Sequence, residues 1–158
     1  MQQIKSQFGR TMMEMLAVLA IIAVVTVSAI AGLDQAMSKF RISKTHDDIL
    51  SINQGIVELY AWKRRYPATD IAEMCRNNVF PDGCLGVNND MPRNIYGGDY
   101  MVETDAINQT ITIRLNGLPS DACRALSSDD MDWGEYLVEG DNNPSCSSNG
   151  SVFEIVFY

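Results

Sequence analysis

Proline is missing from the first 66 residues, and charge is missing between Met15 and Leu33. Proline removes a backbone donor and clashes with the preceding turn, so nothing in the first gap breaks a helix. The second gap holds 19 residues. At about 1.5 Å per residue that is ~28 Å of helix, long enough to cross the hydrocarbon core of a bilayer. Histidine is scarce as well: His46 stands alone, which excludes a histidine-based nucleophile–base pair elsewhere in the chain. Positive charge is thin toward the C-terminus. Residues 66–158 carry four Lys/Arg against fifteen Asp/Glu, a balance of −11, whereas residues 10–65 carry seven against five, a balance of +2. Lys5 closes the total at −8. So acidic a C-terminal region repels phosphate backbones, and direct nucleic-acid binding is not expected.

Cysteine is confined to that acidic region, as Cys75, Cys84, Cys123 and Cys146. An even number in a small, loop-rich domain points to disulfides and an oxidising compartment. The spacings lack the short paired pattern of a zinc ribbon, so no metal is assigned to them. The cysteines therefore put the head outside the cytoplasmic membrane. Lys5 and Arg10 before the apolar run agree with that orientation, although Lys39, Arg41 and Lys44 follow it.

One helix is predicted from about Thr11 to Arg65, stopped by Lys63-Arg64-Arg65 and Pro67. Ile42, Ile49, Ile52, Ile56 and Leu59 recur at helical spacing and predict a stripe buried against a sheet. Leu33, Met37 and Phe40 form an offset stripe. Gly55 costs about 1 kcal/mol relative to Ala in a helix, and fits a close approach of the sheet. Beyond Pro67, Thr69-Asp70 caps a short helix through Cys75, and residues 77–98 read as a long connection. Strands are predicted at Tyr100–Glu103, Thr110–Leu115, Tyr136–Val138 and Val152–Tyr158. A short helix runs from Pro119-Ser120-Asp121 to Leu126, with Ser120 as its cap. The fold class is α+β: a long N-terminal helix packed on a three- or four-stranded antiparallel sheet.

Glu14 stands at the threshold of the apolar run. A carboxylate costs roughly 2.5–3.5 kcal/mol at the centre of an inserted helix, less toward its end, so it needs a cationic partner. Cleavage after Gly9 would free an amine on Arg10, and a neighbouring chain's amine would serve. The segment Gly9-Arg10-Thr11-Met12-Met13-Glu14, followed by an unbroken apolar helix, resembles the class III signal of type IV prepilins and of the related pseudopilins of type II secretion. That resemblance implies that a prepilin peptidase cuts after Gly9 and methylates the new amine of Arg10. It also implies that Glu14 pairs with the terminal amine of an adjacent subunit. That family usually begins its mature chain with Phe or Met, where this chain has Arg10.

Three patterns in the head resemble type IVb major pilins: Asn94-Ile95-Tyr96-Gly97-Gly98, Leu118-Pro119-Ser120-Asp121-Ala122-Cys123-Arg124-Ala125-Leu126, and Cys146 before a terminal apolar strand. Leaders there are longer than nine residues. The resemblance implies a Cys123–Cys146 bridge that closes the C-terminal region, which leaves Cys75 and Cys84 for each other, a pairing it does not supply. It further implies a leader (1–9), a transmembrane assembly helix (10–33), an amphipathic continuation (34–65) and an extracytoplasmic head (66–158). The Leu33, Met37 and Phe40 stripe would then face other subunits. The function implied is that of a structural subunit, a major pilin, with no enzymatic activity and no cofactor. Its implied partners are further copies of itself, the prepilin peptidase, the inner-membrane assembly platform and minor pilins. The subunit would sit in the bacterial inner membrane as a monomer and leave it as an extracellular pilus.

Three other readings share these residues. A pseudopilin would build a short periplasm-spanning filament, although its major form typically lacks disulfides and carries calcium. A secretory signal cut after Ala31 would release a disulfide-stapled binding domain. A plain membrane anchor would make Glu14 a flank residue. Among the remaining polar residues, His46 beside Asp47 and Asp48 reads as a solvated helix position. Asp129-Asp130-Met131-Asp132-Trp133-Gly134-Glu135 lacks the ligand spacing of a calcium loop and reads as a solvated acidic loop. Asn108-Gln109-Thr110 and Asn149-Gly150-Ser151 match the glycosylation triplet by composition alone. Tyr60, Trp62 and Tyr66 read as packing residues.

Overall fold

The computed structural model describes residues 5–63, 65–85, 91–134, 137–138 and 143–158, and of residues 5–11 the backbone alone. Helix α1 spans Lys5–Tyr60. The chain divides into two compact units, Met1–Lys39 and Phe40–Tyr158.

In the first unit every described side chain from Met12 to Met37 is exposed. Two hydroxyls interrupt its apolar surface, and both turn back on the helix. Thr26 Oγ1 donates to the Ile22 carbonyl at 2.7 Å and Ser28 Oγ to that of Val24 at 2.9 Å. Neither is left needing water.

The second unit is α+β, as the sequence predicts. Its elements are the end of α1, α2 (Ile71–Arg76), β1 (Cys84–Leu85), β2 (Met91–Pro92), β3 (Tyr100–Asp105), β4 (Thr110–Asn116), α3 (Ser120–Leu126), β5 (Ser145–Cys146) and β6 (Val152–Phe157). The main sheet is antiparallel in the order β3-β4-β6-β5, and β1 pairs with β2 separately. Burial alternates along β4 and β6, because successive strand side chains point to opposite faces. Register then stacks apolar pairs on one face: Ile113 opposite Ile155, Leu115 opposite Phe153, Ile111 opposite Phe157. Ile49, Ile52 and Ile56 of α1 are fully buried in the same core, each contributing roughly 1.5–3 kcal/mol of apolar burial.

Several expectations need correction. α1 is already helical at Lys5, inside the expected leader, and ends at Tyr60 rather than Arg65. Ala61 N–H bonds the Glu58 carbonyl at 3.3 Å and Lys63 N–H that of Tyr60 at 2.8 Å. These are tight turns where the buried stripe runs out: Tyr60 is buried, whereas Ala61, Trp62 and Lys63 are exposed. Trp62, expected to pack, is 97% exposed. Ser120 is the first residue of α3, with Pro119 at the cap position and no side-chain cap bond. Asp70 does cap α2, accepting from Glu73 N–H at 3.0 Å. The expected strand at Tyr136–Val138 reduces to a bridge between Leu137 and Phe157 and a bond from Val138 N–H to the Val156 carbonyl. Tyr136 itself lies outside the described residues. β5 takes the fourth place in the sheet instead. Gly55 does make a close approach, but to Val79 rather than to the sheet: a Cβ there would lie 3.3 Å from Val79 Cγ1.

Candidate functional site

The residues singled out by sequence fall into two groups. Gly9 and Arg10 lie in the first turns of α1, where the backbone is helical and the side chains are outside the described residues. Glu14 follows on the same helix, exposed, beside Met15, Val18 and Leu19. It has no ion-pair partner among the described residues. A long exposed apolar helix is unstable against water and needs lipid or other helices around it.

The second group closes the head. Cys123 of α3 is bonded to Cys146 of β5, with Cα atoms 6.0 Å apart, and Cys75 of α2 to Cys84 of β1 at 5.8 Å. Chain-entropy scaling gives roughly 3.5 kcal/mol for the longer loop and roughly 2.7 for the shorter. The first bridge ties α3 to the sheet's short edge strand. The second clamps the turn that carries buried Val79 and Phe80.

The Asn94–Gly98 pattern is a self-contained turn. Asn94 is buried; its Oδ1 accepts from Tyr96 and Gly98 N–H at 2.9 and 3.1 Å, and its Nδ2 donates to the Asn116 carbonyl at 2.8 Å. That fixes the entry to β3 against the end of β4. A Cβ on Gly98 would fall on the Asn116 carbonyl oxygen itself, a backbone atom that cannot swing aside. Gly98→Ala should therefore destabilise the head by roughly 3 kcal/mol, the upper part of the usual overpacking range. Urea unfolding of the detergent-solubilised chain checks this; an unchanged midpoint would contradict the packing described.

Sequence reasoning missed two arrangements. His46 is not solvated: its Nε2–H donates to the Asp132 carbonyl at 2.7 Å, and its ring lies 4.7 Å from that of Trp133. Trp133 in turn stacks on Phe153 at 5.6 Å. The other is a polar bridge that runs from the surface at Asp82 to buried Asp48 and Tyr100. Lys44 Nζ reaches Asp48 at 2.9 Å and Asp82 at 3.0 Å, and Tyr100 OH donates to Asp48 at 3.5 Å. Burial pulls the Lys44 ammonium toward its neutral form, but the two carboxylates together outweigh it and its pKa rises. Burial, aided by Asp48, holds the Tyr100 phenol protonated, far above its ordinary range. The Lys44/Asp48 spacing of four was a legible signal; Asp82 and Tyr100 are brought in only by the fold. No cluster of metal-binding side chains occurs among the described residues.

A family model described as PilS N terminal matches residues 39–154. That is well over half of the chain. The chain belongs to the PilS N-terminal family. The family is pilin-like and pilus-related, and its match covers the cysteine-closed unit rather than the exposed apolar stretch. No curated protein and no solved structure matches the chain. In this PilS-family protein a pilus-related head thus continues a helix that is apolar and long enough to cross a membrane.

Proposed function

We propose that this chain is a major pilin of a type IV pilus: made as a prepilin, cut after Gly9 by a prepilin peptidase, and polymerised through its N-terminal helix into a surface filament. The observation that carries the reading is the exposed apolar stretch of α1, with Glu14 at its threshold, in the same chain as a PilS-family head. Before assembly the helix spans the inner membrane and the disulfide-closed head lies outside the cytoplasm. Assembly exchanges lipid contacts for helix–helix contacts, and the Glu14 carboxylate meets the N-terminal amine of a neighbour. The protein acts without catalysis of its own; its chemistry is cleavage, oxidation and assembly, with the assembly platform and minor pilins as partners.

Processing tests this. N-terminal sequencing of filament subunits should begin at Arg10, with mass spectrometry showing an N-methyl group. Gly9→Ala should leave uncut prepilin in the membrane and no filaments. A mature chain starting at Gly32 would establish the secreted domain instead.

A further inference from the structure

Lys63 and Arg65 are left without a role by the fold. The sequence pattern puts them in the last turn of α1, yet the helix stops at Tyr60 and its last turn holds no cation. Both are exposed, and neither forms an ion pair among the described residues. The Lys63 ammonium rests 5.1 Å from the centre of the Tyr60 ring. With Tyr60, Tyr66, Gln109 and Tyr158 the two cations line an open pocket of about 370 Å³. The result is a cationic concavity with aromatic walls on an otherwise acidic head.

The opposite charge is presented elsewhere on the same unit. Asp129, Asp130 and Asp132 are exposed and pair with no cation among the described residues. Their turn is anchored: the Asp132 carbonyl accepts from His46, Gly134 N–H donates to Asp132 Oδ1 at 2.9 Å, and Trp133 is buried beneath. His46 precedes Tyr60 by about 21 Å along α1 at 1.5 Å per residue. The acidic turn and the cationic pocket are thus too far apart to meet within one chain.

Residues 66–158 carry −11, so neighbouring heads repel unless opposite charges face each other. We infer that Lys63 and Arg65 of one copy receive the Asp129–Asp132 carboxylates of a second copy, displaced by about 21 Å along the helix axis. The two surfaces differ, so the contact is head-to-tail, the kind a filament uses rather than a two-fold dimer. This rests on the polymer reading and adds which head surfaces meet.

Charge exchange in the full-length chain tests it, read as sheared filament relative to membrane subunit. Lys63→Glu/Arg65→Glu should lower that ratio roughly tenfold, and Asp129→Lys/Asp130→Lys likewise. The combination should return to within about threefold of wild type, because the repulsion introduced on one side is matched on the other. Carbodiimide treatment of wild-type filaments should couple Lys63 to Asp129 or Asp130 of another subunit. A combined variant no better than its worse parent overturns the inference, as does coupling of other lysine–carboxylate pairs without this one. Parents that assemble as wild type but no longer bind heparin would also overturn it, giving the pocket to an acidic glycan. Wild-type cells without filaments would remove the polymer reading itself, and this contact with it.

Discussion

Glu14→Leu subunits are expected to be cleaved, to reach at least wild-type level in the membrane, and to form no filaments. The side chain is exposed among Met15, Val18 and Leu19, so leucine fits without steric cost and inserts more cheaply than a carboxylate. What would be lost, in the proposed assembly, is the charge that draws in a neighbour's terminal amine. Stranding one member of a buried ion pair costs roughly 3–5 kcal/mol, or about two to four orders of magnitude in the assembly equilibrium. Glu14→Gln keeps the shape and one hydrogen bond and should be less severe. A pair of this kind supplies register more dependably than stability, so the readout is assembly at matched membrane level. Ordinary filaments built from Glu14→Leu subunits would reduce Glu14 to a flank residue.

Cys146→Ser should cost the head about 2–5 kcal/mol, the usual loss for a native bridge in a small extracytoplasmic domain. Cys123 is fully buried and would be left as an unpaired thiol under α3, while β5, only two residues long, would lose its covalent tether. Subunit abundance should fall together with filament number, unlike the Glu14 variants, where abundance holds. Cys84→Ser opens the shorter loop and should be milder, since the entropy removed from the unfolded chain scales with loop length. Urea midpoints of solubilised protein, with and without reductant, measure both. Equal midpoints for wild type and Cys146→Ser would deny the bridge its structural role.

What the sequence made legible were features with a period or a fixed spacing. The Ile49, Ile52, Ile56 stripe, the alternation of Thr110–Leu115 and the uncharged run after Glu14 all state their surroundings in one dimension. The misreadings have a common physical origin. Lys63-Arg64-Arg65 and Pro67 signal a helix end, but loss of burial after Tyr60 stops the helix sooner. His46 shows charged neighbours in sequence, while its partner, the Asp132 carbonyl, comes from a turn 86 positions away. The sequence predicts a strand at Tyr136–Val138, whereas that segment makes only a short bridge to β6, which Asn143 reinforces by donating to the Val138 and Val156 carbonyls at 2.7 and 2.8 Å. Nothing periodic marks a single asparagine in that position. Gly55 and Gly98 were visible as glycines, but what each approaches is decided by the tertiary fold.

The inward-turned hydroxyls of Thr26 and Ser28 bear on mechanics. With both bonded to their own backbone, the stretch from Met15 to Leu33 offers neighbours no directional grip. Contact between such surfaces is held by buried area and by the fit of ridges into grooves, with no directed bond to fix it. In the proposed fibre the directional links between subunits would be the Glu14–amine pair and the charged contact between heads, with the apolar stretch between them held by buried area alone. Axial load on such a fibre would then fall on those links rather than on the helix surfaces between them.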